Sequence, residues 1–188
     1  MYSALGSHRV KVIDNFLPSN DFKIIKGIMM GDYFPWYYTR GITNPLDSGR
    51  YQFTHLLFGN REDDGREKVS DNCDRVCSNL IQKLGIYSKS AIIRIKANMN
   101  PKTFFHRNGG YHTDYIDQVE KVTTAIFYVN TNNGWTHIKG HGKVKCVENR
   151  IALFDSKTQH AGFSCTNEDM KVVININYLT RFGILASV

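Results

Sequence analysis

"KVVININYL", residues 171–179, decides how the rest of the chain is read. In an extended segment alternate residues share a face. Val172, Ile174 and Ile176 then form one continuous apolar face, fit for packing against another layer. Lys171, Val173, Asn175 and Asn177 form the other face, which is partly polar. A cation at the head of a buried strand is costly unless it meets an anion. Either Lys171 is a solvated strand end, or the strand lines an interior in which something polar and negative binds.

Outward from this strand the texture is β. From residue 91 the chain reads as short β-branched or aromatic runs: "AIIRIKANM", "TTAIFYVN", "GWTHI", "GKVKCV", "RIALFD" and "AGFSCT". Asn, Gly and Asp clusters separate them. Strands so numerous and so closely spaced indicate a sandwich or barrel. The first ninety residues differ. "HRVKVIDNFLP" begins as a strand. "PSNDFKIIKGIMM" is a helix, with Ser19 or Asn20 as its N-cap and Phe22, Ile25, Ile28 and Met29 as its apolar stripe. "DYFPWYYTR" and "GITNPLDSG" read as a long connection, and "YQFTHLLF" as a strand. "EKVSDNCDRVCSNLIQKLG" reads as a second helix, with Val69, Cys73, Val76, Leu80 and Leu84 on one face and Gly85 as its stop. No alternating βαβ pattern is present. The expected fold is mainly β with α: a double-stranded β-helix, or jelly-roll, core over residues 91–180. The helices of a supporting region, residues 1–90, pack on one sheet, and 1–188 form a single domain.

Composition sets the outer bounds. The chain has 188 residues, 41% hydrophobic and 22% charged, which is globular and not disordered. No run approaches the roughly 20 apolar residues that span a bilayer, so no membrane partner is expected. No apolar leader is visible at the start, and the expected compartment is cytoplasmic. Cys73 and Cys77 have helical i, i+4 spacing, with no second ligand pair at zinc-finger distance, and read as free thiols. A net charge of +7 favours anionic partners. The basic residues are scattered, and "REDDGREK" and "HIKGHGKVK" are mixed in sign or diluted by histidine.

The chemistry centres on "GGYHTDYIDQ", residues 109–118, and "KTQHAGF", residues 157–163. His112 and Asp114 are two apart, so an extended backbone presents both to one point. His160 follows the apolar strand "RIALFD" and can approach from across a barrel. Two imidazoles and one carboxylate on one face of a metal leave the opposite positions open, an arrangement suited to non-haem Fe(II). His106, His137 and His141 are other histidines within reach of such a role, and His₂-carboxylate sites also serve zinc hydrolases.

The ordered set H-x-D, "TAIFYVN", "NNGWTHI", "ENRIALFD", a histidine and a cation heading a final apolar strand resembles the 2-oxoglutarate- and Fe(II)-dependent oxygenases. It is most similar to their prolyl 4-hydroxylase-like branch. "RIKAN", "NTNNGWT" and "VENRIALFDS" are also similar to small bacteriophage versions, which would place the protein in the host cytoplasm. The resemblance covers residues 91–180, with a looser fit over "DNFLP", "FPWYY" and "YQFTHLLF". It implies that His112, Asp114 and His160 ligate Fe(II), and that Lys171 binds the distal carboxylate of 2-oxoglutarate. Tyr128 then contacts the same co-substrate, and Asn175 lines its pocket. Asn98 or Lys96 stands where the branch has a tyrosine. Arg181 is the reserve cation. O₂ and 2-oxoglutarate are the implied co-substrates, with ascorbate as reductant.

The resemblance implies hydroxylation of an unactivated C–H bond, with a prolyl residue of a peptide or protein as the first acceptor. A nucleic-acid-directed oxygenase is the alternative, encouraged by the positive charge. Relatives of that kind carry paired arginines on the last strand, where this chain has Lys171, Asn177 and then Arg181. A jelly roll that has lost chemistry and only binds is the third reading. Phe34, Trp36, Tyr37 and Tyr38 could wall a groove for a peptide or a stacked base, or pack between helix and sheet.

Overall fold

The computed structural model describes residues 10–41, 50–60, 67–114 and 121–182. In chain order these form β1 (Lys11–Ile13), α1 (Ser19–Met29), β2 (Tyr37–Arg40), β3 (Tyr51–Asn60), β4 (Glu67–Val69) and α2 (Cys73–Lys83). There follow β5 (Ile92–Pro101), β6 (Val122–Tyr128), β7 (Trp135–Ile138), β8 (Gly142–Lys145), β9 (Arg150–Asp155), β10 (His160–Phe163) and β11 (Met170–Leu179). "GITNPLDSG" and the front of "REDDGREK" lie almost wholly outside the described residues.

An eight-stranded antiparallel sheet runs β1-β9-β6-β11-β5-β3-β2, with β4 paired to β3. A three-stranded sheet, β10-β7-β8, faces it. This is the double-sheet jelly roll expected, with helices on the outer face of the large sheet. Four strands of that sheet, β1 to β4, come from the first ninety residues.

Alternation along the strands builds two cores. Val172, Ile174 and Ile176 of β11, with Ala125 and Phe127 of β6, point outward and meet Phe22, Ile25 and Met29 of α1 and Val76, Cys77 and Leu80 of α2. Their neighbours Ile126, Tyr128 and Val173 point inward to Ile138, Val144, Ala152 and Phe154. Each fully buried Ile, Leu or Phe stabilises the fold by about 1.5–3 kcal/mol before entropy is counted. The outer core thereby fixes which face of β11 looks into the barrel.

Helix termini depart partly from expectation. Pro18, not Ser19 or Asn20, caps α1, and no side-chain hydrogen bond is made there. Proline's fixed φ is already suited to a helix start. Gly85 does stop α2. It sits at φ 74°, its amide bonds Gln82 O, and the Ile86 amide bonds Ile81 O. That pair is a Schellman closure, with buried Ile86 as its apolar contact. Val69 is not on α2: it is an exposed residue of β4, paired opposite Phe58. Tyr37 to Arg40 are not a connection but the strand β2. All four cysteines are free and buried. No described helix is long and apolar enough to cross a membrane.

Candidate metal centre

His112 and Asp114 lie on a segment that runs beside β10. Asn108 bridges to Phe163 and His112 to His160, and the Asp114 amide donates to Ser156 O at 3.1 Å. The pairing sets His112 opposite His160, and Asp114, two residues on, shares the same face. The donor atoms of His112, Asp114 and His160 all lie within 4.8 Å of one another. His112 Nε2 is 3.7 Å from Asp114 Oδ1, and His160 Nε2 is 3.8 Å from Asp114 Oδ2.

Both imidazoles have their other nitrogen committed. His112 Nδ1 faces Gly110 O at 3.2 Å and His160 Nδ1 faces Thr158 O at 3.0 Å. A proton donated there leaves the Nε2 lone pair free. His160 Nε2 is buried and has no hydrogen-bond partner. An orphaned lone pair aimed at a second imidazole and a carboxylate is satisfied by a cation. Two nitrogens and one carboxylate oxygen suit Fe(II) with vacant positions.

The surroundings prepare these groups. Burial pushes His160 below the usual imidazole range, against the opposing charge of Asp114, which favours the neutral ligand form. Burial alone would raise Asp114, but the charges of His160 and Arg94 and hydrogen bonds from Asn177 and Thr124 outweigh it and hold the carboxyl low. Thr124 Oγ1 donates to Asp114 Oδ2 at 2.9 Å, Asn177 Nδ2 at 3.1 Å, and Arg94 reaches Oδ1 at 3.3 Å.

The triad closes one end of a cavity of about 280 Å³. Its floor is the inward stripe of β11 and β5, where Lys171 pairs with Asn100, Val173 with Asn98, Asn175 with Lys96 and Asn177 with Arg94. Lys171 is 2% exposed. Its ammonium donates to Trp135 O at 2.8 Å and Phe163 O at 3.1 Å, and no carboxylate pairs with it among the described residues. Burial depresses its pKa, with Cys146 and Cys165 opposing. Asn98 and Asn175 line the same cavity, and Asn175 Oδ1 is buried without a partner. Tyr128 points inward, its hydroxyl buried without a hydrogen bond and its pKa raised by burial. Arg181 is exposed, in a 3-10 turn beyond β11.

Among the described residues, no other histidine joins the triad. His106 packs on Trp135 and His137 bonds Tyr111. Arg94 and Thr124, which hold Asp114, were not legible as site residues. In "AIIRIKANM" the charged residues alternate with apolar ones and read as a solvent face until β3 and β11 flank them. The aromatic cluster divides: Phe34 and Trp36 pack together at 4.7 Å, while Tyr37 and Tyr38 are 61% and 63% exposed.

No protein-family model matches this chain, and no curated protein does either. Solved structures do. A Burkholderia pseudomallei oxidoreductase of the 2OG-Fe(II) oxygenase family superimposes with a TM-score of 0.63 at 10% identity, over 93% of this chain and 86% of that one. A Pseudomonas putida prolyl-4-hydroxylase gives 0.57 at 14% identity, over 93% and 95%. A Trichoplax adhaerens prolyl hydroxylase, in complex with a hypoxia inducible factor peptide fragment, gives 0.58 at 14%, over 93% and 85%. The chain has the 2-oxoglutarate/Fe(II) oxygenase fold. At these identities the likeness is one of architecture. The triad itself rests on the geometry of His112, Asp114 and His160.

Proposed function

We propose that the protein is an Fe(II)- and 2-oxoglutarate-dependent dioxygenase that hydroxylates an unactivated C–H bond, with a prolyl residue of a peptide or protein as the acceptor. One observation carries this reading. The orphaned Nε2 of His160 converges with His112 and Asp114 at one end of a cavity whose wall also holds a buried, carboxylate-free Lys171. A cation site and an anion site within one cavity fit a chelating keto diacid.

His112, Asp114 and His160 would hold Fe(II), which with 2-oxoglutarate and O₂ supplies the oxidising power that turns C–H into C–OH. Lys171 orients the co-substrate through its distal carboxylate. Asn175 and Asn98 line the pocket, with Tyr128 in the apolar cluster beside it and Asn175 Oδ1 free to accept a hydrogen bond. Thr124, Asn177 and Arg94 fix the plane of the Asp114 carboxylate. Phe154, edge-on to His160 at 4.9 Å, keeps water from that imidazole. Ascorbate would serve as reductant.

The peptide acceptor is supported by the likeness in fold to two prolyl hydroxylases. A nucleic-acid acceptor is the second reading, favoured by Arg94 and Lys96 in the cavity wall. The test is succinate formation from 2-oxoglutarate, dependent on Fe(II), with mass spectrometry of peptide and oligonucleotide panels for the gain of one oxygen. Absence of Fe(II)-dependent succinate with every acceptor would overturn the reading.

A further inference from the structure

A second recess adjoins the candidate co-substrate pocket. Asn100 also lines this recess of about 230 Å³, bounded by Arg50, Tyr51, Lys102, Phe104, Arg107 and Asn108. The two recesses share Asn100 and together follow β5 as a candidate trough. From Arg94 to Pro101 an extended strand spans roughly 23 Å, the length of a seven-residue extended peptide.

The described lining of the trough is charged almost entirely one way. Among the described residues Arg94, Lys96, Lys171, Arg50, Lys102 and Arg107 line it, against one carboxylate, Asp114, which faces the two histidines. The side chains of Lys96, Lys102 and Arg107 make no hydrogen bond or salt bridge among the described residues. Lys96 is half-buried, and burial, with Arg94 beside it, lowers its pKa. A partly desolvated ammonium with no hydrogen bond or salt bridge, and only a distant carboxylate in Asp114, gains from an anion placed directly opposite it. Lysine is not needed there to hold the sheet, since β5 is bonded on both sides through its backbone.

Two classes of polyanion fit the charge, and the rings choose between them. Single-stranded nucleic acid binds where successive bases find free ring faces. Of the described rings that line it, Tyr51 lies tilted against Tyr38 at 5.8 Å and edge-on to Phe53 at 6.0 Å, and one ring, Phe104, stands open at 96% exposure, which is not the succession of free faces that stacked bases use. Between the cations stand amides, Asn98, Asn100 and Asn108, which can pair with a peptide backbone.

We propose that this trough binds an extended acidic peptide, whose carboxylates pair with Lys96, Lys102 and Arg107 while the acceptor residue lies at the triad. The proposal rests on the dioxygenase reading and adds the charge of its substrate.

The test is fluorescence anisotropy at low ionic strength with the full chain loaded with Zn(II) and 2-oxoglutarate. The probes are labelled peptides of repeating Pro-Glu-Gly and of repeating Pro-Gln-Gly, and oligo(dT). The glutamate peptide is expected to bind at least about tenfold more tightly than the glutamine peptide. Lys102→Glu with Arg107→Glu, or the milder Lys102→Gln with Arg107→Gln, should remove that preference and leave Zn(II) and 2-oxoglutarate titrations unchanged. Equal binding of the two peptides, or a preference surviving in both double variants, overturns the proposal. Tighter binding of oligo(dT) than of the glutamate peptide overturns it in favour of nucleic acid. Failure of Zn(II)-dependent 2-oxoglutarate binding is read separately and counts against the dioxygenase reading, not against the trough.

Discussion

His112 and His160 are locked together through their backbones: the amide of each donates to the carbonyl of the other, at 3.0 and 2.9 Å. Their rings lie 4.4 Å apart, centroid to centroid. The spacing of the two imidazoles is therefore set by strand pairing and does not depend on an ion to gather them. Such preorganisation lowers the cost of binding a metal.

Asp114 completes that triad and would balance the charge of a bound ion. Asp114→Ala is expected to remove measurable Zn(II) or Mn(II) binding in calorimetry and to abolish Fe(II)-dependent succinate formation. The circular dichroism spectrum should stay close to that of the wild type. Wild-type metal affinity in the variant would show that Asp114 is not a ligand.

Lys171→Ala is expected to weaken 2-oxoglutarate binding by at least about tenfold, because a charge-assisted hydrogen bond contributes about 1.5–3 kcal/mol. Metal affinity should change little. Titration of 2-oxoglutarate into both metal-loaded proteins decides it. Equal affinities would move the anchor elsewhere, with Arg181 next to be replaced.

The depressed pKa of Lys171 gives a signed pH dependence. Both carboxylates of 2-oxoglutarate are already ionised at neutral pH, so only the lysine titrates on the alkaline side. Affinity should fall as pH rises through the lowered lysine pKa, and Lys171→Arg should flatten that fall. Without co-substrate the sign reverses. Between the lowered pKa and the ordinary lysine value the folded chain binds fewer protons than the unfolded one, so stability gains with pH from this group. A 2-oxoglutarate affinity that is flat or rising toward alkaline pH in the wild type would contradict this account.

Gly162 lines the cavity, and a Cβ built on it would lie 3.5 Å from Lys171 Nζ. That is an ordinary contact, so Gly162→Ala should fold with a stability change within about 1 kcal/mol. The added methyl takes space in front of the ammonium, and 2-oxoglutarate affinity should drop. Thermal melts and titration on the same sample separate the two effects.

Asn149 clips the amino-terminal segment to the sheet. Its Oδ1 accepts from the Leu17 amide at 2.9 Å and its Nδ2 donates to Leu17 O at 2.8 Å, with its backbone at φ 57°. Asn149→Ala strands two buried backbone groups and places alanine in a left-handed conformation. A loss of about 2–4 kcal/mol in denaturant unfolding is expected, while Zn(II) binding by the folded fraction persists.

Local periodicity explains what was legible. The faces of residues 171–179, the H-x-D spacing and the Gly85 stop each depend on near neighbours, and each appears in the structure. Elements fixed by partners elsewhere were not legible. Val69 sits four residues before Cys73, a helical interval, yet pairing with β3 makes it strand. "YYTR" has no alternation of polarity and becomes a strand only because β3 offers it an edge. Lys96 and Arg94 look like solvent-facing residues until β3 and β11 turn their face inward. The hold of Thr124 on Asp114 spans a chain interval that no local pattern marks.

Of the two tryptophans, Trp36 packs with Phe34 in the amino-terminal aromatic cluster. Trp135 stands beside the buried ammonium of Lys171: its carbonyl accepts from Lys171, its ring stacks on Phe163 at 4.6 Å, and the Lys143 ammonium lies 4.1 Å over it. An anion reaching Lys171 alters the electric field and the hydrogen bonding beside that indole. The molecule therefore carries its own optical gauge. With Trp36→Phe in place, emission from a single indole reports occupancy of the pocket, in real time and without turnover.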